Sequence, residues 1–122
     1  MNNMYKLCIT SFLFIAETIM LFYFSIATGP SAQTVVEFNV GDILHVLGYL
    51  VYAILAERML NYTRFKQHRW QLAFLIAVAV GGINEVLQSF IPGRYTDVMD
   101  FIYNAIGAVI GVLITFLFKK RE

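Results

Sequence analysis

The chain has 122 residues, of which 59% are apolar and 14% charged, with a formal net charge of +1 and a mean hydropathy of +0.68. Soluble domains carry about 25% charged residues, so this composition belongs in a bilayer. A charge near zero and two histidines far apart in sequence argue against a nucleic-acid groove or a broad surface for acidic substrates, and a lone cysteine, Cys8, excludes an intrachain disulfide.

Crossing the hydrocarbon core in a helix takes about 20 mostly apolar residues, because every backbone polar group there must be paired internally. Segments 7–27, 41–60, 71–91 and 98–118 meet that requirement. The first is longer than the roughly 7–15 apolar residues of a secretory signal, and a cut after Gly29 would place Pro30 beside the scissile bond, so it reads as a spanning helix. Cys8, among its apolar residues, reads as packing. Gly29-Pro30-Ser31 breaks the first connection, a polar and basic stretch from Asn61 to Trp70 forms the second, and Pro92-Gly93-Arg94 makes a tight third turn. Links this short predict one all-α domain over residues 1–122, a compact bundle of four transmembrane helices with antiparallel neighbours.

Lysine and arginine set the expected direction, since short cytoplasmic loops carry the excess of positive charge. Lys6 precedes the first span, Arg58, Arg64, Lys66 and Arg69 surround the second link, and Lys119, Lys120 and Arg121 follow the last span. Residues 28–40 contain neither lysine nor arginine, and the third link has only Arg94. Both termini are therefore expected in the cytoplasm.

Ionisable groups inside a span cost about 2.5–3.5 kcal/mol at the helix centre on insertion scales, so each requires a partner, water or a function. In the second span Asp42, His45 and Tyr49 recur at helical spacing, as do Glu85 and Gln88 in the third, and Asp97, Asp100 and Asn104 in the fourth. The second and fourth spans enter from the non-cytoplasmic side and the third ends there, so all three stripes converge on one leaflet. Glu85 lies about 10 Å along its helix from Pro92, deep enough for partial desolvation. Arg94 is placed to pair with Asp97, Asp100 or an anionic ligand group.

Plainer roles compete for the same residues. Asp42 and Asp97 suit helix N-caps, and Gly107-Ala-Val-Ile-Gly111 fits the small-xxx-small pattern of close helix packing. His45 could be satisfied by interfacial water, and Tyr49 and Tyr52 by packing or an aromatic belt. Glu17, in mid-span, has no partner evident from sequence. Glu57 and Arg58 read most simply as snorkelling or surface residues, and His68 as solvated.

The run from Glu85 through Gln88, Pro92-Gly93-Arg94, Asp97, Asp100, Asn104 and Gly107 to Gly111 resembles the signature of the VanZ-like family. The segment Asp42-Ile-Leu-His45-Val-Leu-Gly-Tyr49 is similar to that family's Asp-Lys-x-x-His-x-x-x-Tyr segment, with Gly41-Asp42 in place of Asp-Lys. The resemblance covers residues 41–111. It implies a bacterial plasma-membrane protein related to accessory proteins that lower susceptibility to teicoplanin, a lipoglycopeptide acting outside the membrane on cell-wall precursors.

Two functional classes follow. In the first, an enzyme acts on a lipid-linked substrate, with Glu85, His45 and Asp100 as catalytic groups and Asp42, Tyr49, Gln88, Arg94, Asp97 and Asn104 binding substrate. No G-x-S-x-G elbow is present, so activated water would be the nucleophile. A metal-assisted form would draw on Asp42, His45, Glu85 and Asp100, although the primary reading includes no metal and identifies no cofactor. In the second class, the same pocket binds a lipid-linked cell-wall precursor or lipoglycopeptide without changing it. A small transporter or proton relay through Glu17 and Glu85 is a further alternative and would require a homo-oligomer. Membrane lipids are expected partners and nucleic acid is not.

Overall fold

The computed structural model describes residues 2–27, 40–93 and 97–119. Its helices are α1 (Asn3–Ala27), α2 (Val40–Leu60), α3 (Arg69–Ser89) and α4 (Val98–Phe118), with a short 3-10 turn at Lys66–His68 ahead of α3. All four are long and apolar enough to cross a membrane. Helix α1 begins earlier than position 7, and α3 occupies 69–89 rather than 71–91. Pro92 explains the earlier end, because the residue before a proline is driven out of the helical region. Gly93 then turns the chain at φ 82°, a conformation open to glycine. The first link at Gly29, Pro30 and Ser31 lies outside the described residues.

Contacts fix the direction of every helix. Phe14 stacks on Tyr52 at 4.8 Å between ring centroids, while Lys6 lies 5.8 Å from the Tyr62 ring, so α1 runs against α2. Tyr49 meets Asn84 and Glu57 meets Arg69, which sets α3 antiparallel to α2. Trp70 packs edge-on to Phe116 at 5.2 Å and Gly82 faces Phe101, so α4 runs against α3. Helices α2 and α4 are consequently parallel, and the first and last described residues lie at the same end of the bundle.

Lipid tails are as apolar as leucine, so burying large aliphatic side chains gives little drive for association in a bilayer; close van der Waals contact between small residues does the work instead. The buried set fits this account. Ala53 and Ala56 on α2, Ala73 and Ala77 on α3 and Ala108 on α4 are completely covered, whereas large residues such as Phe12, Ile19, Leu75, Val98 and Leu117 point outwards. The closest approach is between α2 and α4. A Cβ at Gly107 would collide with the Val46 carbonyl oxygen, and one at Gly111 with that of Leu50. The small-xxx-small pair is thus a backbone-to-backbone contact.

Two expectations change. Glu57 does not snorkel: it is 2% exposed, accepts from Arg69 Nε at 2.6 Å and lies 3.7 Å from Arg58 Nε. Residue spacing along α2 could not reveal this, because the partner arrives from α3. Arg69 also donates from Nη1 to the Lys66 carbonyl at 2.8 Å and lies flat over Trp70 at 3.8 Å, with Lys119 over the same ring at 4.6 Å. Cys8 is exposed on α1 rather than packed among the described residues. His68 is exposed, as expected.

Gly107→Ala should lower stability by about 1–3 kcal/mol, the usual cost of overpacking. Gly82→Ala, whose Cβ would make an ordinary 3.5 Å contact with Phe101, should change it by less than about 0.5 kcal/mol. Thermal unfolding in a mild detergent checks both, and equal losses would refute the close α2–α4 contact.

Candidate functional site

The end of the bundle opposite Glu57 and Arg69 gathers the polar residues of all four helices. On α3 the buried face reads Gly81, Asn84, Glu85 and Gln88, which is one helical stripe. On α4 it begins at Asn104 and continues through Gly107, Ala108, Gly111 and Thr115. On α2, Asp42 and His45 are half-buried and Tyr49 is fully covered. The bilayer favours such convergence, because a polar side chain facing lipid has no partner.

At its centre is His45. Its Nδ1 lies 2.7 Å from Asn104 Oδ1 and its Nε2 lies 3.9 Å from Asp100 Oδ2. The imidazole side chain keeps 28% of its surface exposed and the Asp100 side chain 24%. The ring is therefore held from one side while remaining open to an incoming group. Deeper in the bundle, Asn84 Nδ2 donates to the Tyr49 hydroxyl at 2.6 Å. Glu85 is 4% exposed and within electrostatic reach of Tyr49. Gln88 Nε2 donates to Ser25 Oγ at 2.7 Å, bringing in the last turns of α1.

The remaining expected residues occupy the rim. Asp97 is exposed and caps α4, accepting from the Met99 amide at 2.8 Å with an extended backbone at φ −109°, ψ 120°, a geometry that matches the plain capping role. Asp42 is not an N-cap; it lies inside the first turn of α2, where a carboxylate complements the helix dipole. Arg94 lies outside the described residues. Glu17 stays apart, half-buried on α1 near Tyr52, whose hydroxyl accepts from Thr18 at 3.0 Å. Among the described residues no three His, Cys, Asp or Glu side chains come together in a way that could hold a metal ion, so the set Asp42, His45, Glu85 and Asp100 does not assemble as ligands.

Asn84 and Ser25 were not anticipated. Asn84 carried a legible signal, since it falls one turn after Gly81 and one turn before Gln88, on the same face as Glu85 and Gln88. Ser25 carried none, because a serine in a span commonly bonds its own backbone.

A family model described as VanZ/LLP1 matches residues 3–119. The chain belongs to the VanZ/LLP1 family. Four helices able to span, combined with that membership, make it a multi-pass membrane protein. No curated protein and no solved structure matches the chain. Within this VanZ/LLP1 chain the match takes in α1 and the basic second link as well as the polar stripes, so membership extends beyond residues 41–111.

Chemically, the arrangement offers a partly open imidazole with one carboxylate, Asp100, near it, and a covered carboxyl, Glu85, on the neighbouring helix. Such a set can hold a polar headgroup or move a proton. In this VanZ/LLP1 protein Tyr49→Phe should cost about 1–2 kcal/mol, because it strands the buried Asn84 amide. The double variant Tyr49→Phe with Asn84→Leu should recover part of that loss. Chemical unfolding of the three variants provides the check, and a double variant worse than the sum of the singles would refute the pairing.

Proposed function

We propose that this protein is a resident of the bacterial plasma membrane, with both termini in the cytoplasm, whose polar end opens outwards to bind the polar part of a lipid-linked cell-envelope precursor or of a lipoglycopeptide such as teicoplanin. The observation that carries this assignment is His45 held between Asn104 and Asp100 yet partly exposed, at the one end where all four helices bring polar side chains together. A bilayer protein retains buried polar groups at such cost where they serve a ligand or a reaction.

The charge distribution supports the direction. Lys6, Arg58, Arg64, Lys66, Arg69 and Lys119 lie at the far end, around the second link and the two termini, as cytoplasmic loops require. An outward site suits an amphiphile, whose apolar chain can lie among the exposed aliphatic residues while its head reaches His45 and Asp100. Family membership supports a role at the envelope, and a part in teicoplanin resistance belongs to the same proposal.

A catalytic version of the site is favoured by one feature, the orientation of His45. An imidazole with one nitrogen anchored and the other near a carboxylate can act as a general base towards water at the membrane surface, with Asp100 stabilising the protonated ring and Glu85 beneath it.

Purified protein in lipid nanodiscs should bind defined lipid-linked precursors or teicoplanin, followed by mass spectrometry, with at least a tenfold loss in His45→Ala and Glu85→Gln. A mass change in the ligand that both variants abolish would establish catalysis, and unaltered binding in both would remove the site. Reporter fusions at the C-terminus should be active only in their cytoplasmic form, and the opposite result would invert the orientation.

A further inference from the structure

Helix α1 carries a single carboxyl, Glu17, and the polar end of the bundle does not use it. Glu17 is ten residues from Ala27 and fourteen from Asn3, about 15 Å and 21 Å along the helix axis. The hydrocarbon core is about 30 Å thick, so this carboxyl lies near its middle, out of reach of headgroups and bulk water. Such a group requires a hydrogen-bonding partner. Among the described residues none bonds it. Its neighbour Thr18 is engaged with the Phe14 carbonyl at 2.8 Å and the Tyr52 hydroxyl at 3.0 Å, and Tyr52 is within electrostatic reach of Glu17 without a hydrogen bond between them.

The ridge that carries Glu17 is well defined. The face of α1 that meets α2 and α3 presents Phe14, Thr18, Leu21 and Ser25. Leu13, Glu17, Met20 and Phe24 each directly precede one of these, so they form a second ridge about 100° round the helix, beside the interface rather than in it. Leu13, Met20 and Phe24 are 44%, 45% and 57% exposed, and Glu17 is half-buried between them. Spacings of four, three and four residues are those of a coiled-coil seam, in which two helices interlock along one ridge each.

Depth and chemistry together select the occupant. Lipid tails offer neither donor nor acceptor, so the partner must be a membrane helix with its own polar side chain at the same depth on an otherwise apolar ridge. A second copy of this chain meets that condition without further assumption, because a two-fold axis along the bilayer normal places position 17 of both copies at one level. A protonated carboxyl has a donor and an acceptor, so two of them complete each other. We propose that the protein forms a parallel homodimer through the Leu13–Glu17–Met20–Phe24 ridge of α1, with the two Glu17 carboxyls bonded to one another in mid-membrane.

Within this dimer the labour is divided as in other helix pairs. The apolar members of the ridge supply van der Waals contact, and the polar member fixes register, because any slide of one helix along the other parts the two carboxyls. The arrangement leaves the α2–α4 contact and the polar end untouched, since α1 reaches those only from its other face. The inference does not depend on what the polar end binds.

Substitution of Glu17 separates a polar pair from apolar contact alone. Glu17→Leu keeps the ridge apolar and removes a polar group from mid-bilayer, so it does not threaten the fold, whereas Glu17→Gln keeps a side chain that both donates and accepts. Cys8 is the only cysteine of the chain and is exposed, so donor and acceptor dyes attached there report association by energy transfer in lipid vesicles. Transfer in the wild type should persist as the protein is diluted with lipid. Glu17→Leu should weaken association by about tenfold or more, and Glu17→Gln should retain it.

The second readout is which ridge faces the other copy. In a Cys8→Ser background, Met20→Cys on the proposed ridge should form a disulfide-linked dimer on mild oxidation in vesicles. Ile19→Cys, on the neighbouring outward face at 64% exposure, should not, because a disulfide requires the two Cα atoms within about 7 Å. A purified wild type that stays monomeric, as it would if Glu17 served a different membrane protein, overturns the proposal. So does a Glu17→Leu variant that associates as tightly as the wild type, or cross-linking at position 19 equal to that at position 20.

Discussion

The approach of α4 to α2 at Gly107 and Gly111 governs the rest of the molecule. Each glycine sits against a backbone carbonyl of α2, at Val46 and at Leu50, and the matching spacing locks the two helices in register as well as in distance. Asn104 comes one turn before Gly107, and His45 immediately precedes Val46, so the same register brings the amide within 2.7 Å of the imidazole. A side chain at either glycine would push the helices apart and separate that pair. Steric closeness at the middle of the bundle is therefore the condition for polar chemistry at its end.

The bundle is bracketed by two polar ties of different character. At one end Glu57 and Arg69 form a covered ion pair, extended by Arg58, the Lys66 carbonyl and the Trp70 ring. Arginine suits this position because its planar fork can bond a carboxylate and a carbonyl while lying on an indole. At the other end the partners are amides, hydroxyls and an imidazole, with carboxylates at the rim. Between the ties the interfaces are alanine, glycine and two tyrosines. Pairing fixed at both ends limits sliding of α3 against α2, which small residues alone would permit, because a smooth interface has no preferred register.

Helix α1 stands apart from this core. None of its window of highest hydropathy is buried, and it is attached through the Phe14 and Thr18 contacts to Tyr52, the approach of Leu21 to Gly48, and Ser25 to Gln88. The VanZ/LLP1 match nonetheless includes it. A loosely held helix that contributes one buried serine to the polar end can alter access to that end without disturbing the α2–α4 register.

Much of this was legible in the chain. Hydropathy marked four spans, Pro92 and Gly93 marked a turn, and helical spacing put Asp42, His45 and Tyr49, then Glu85 and Gln88, then Asp100 and Asn104 on faces that meet. Those are properties of one helix at a time, together with the alternation of direction that short links impose. Sequence by itself therefore determined the bilayer as solvent, the helix count, the family and the end of the bundle where polar groups collect. The tertiary structure alone decided which groups touch. Glu57 was unreadable as a buried residue because its partner is twelve positions away on another helix, and the face that Asn84 shares with Gln88 was legible while its bond to Tyr49 was not. Pairing depends on the rotation and register of helices about one another, and these are set by the glycine contacts of α4 on α2 and by the polar ties of α3 to α2, which no hydropathy or periodicity records.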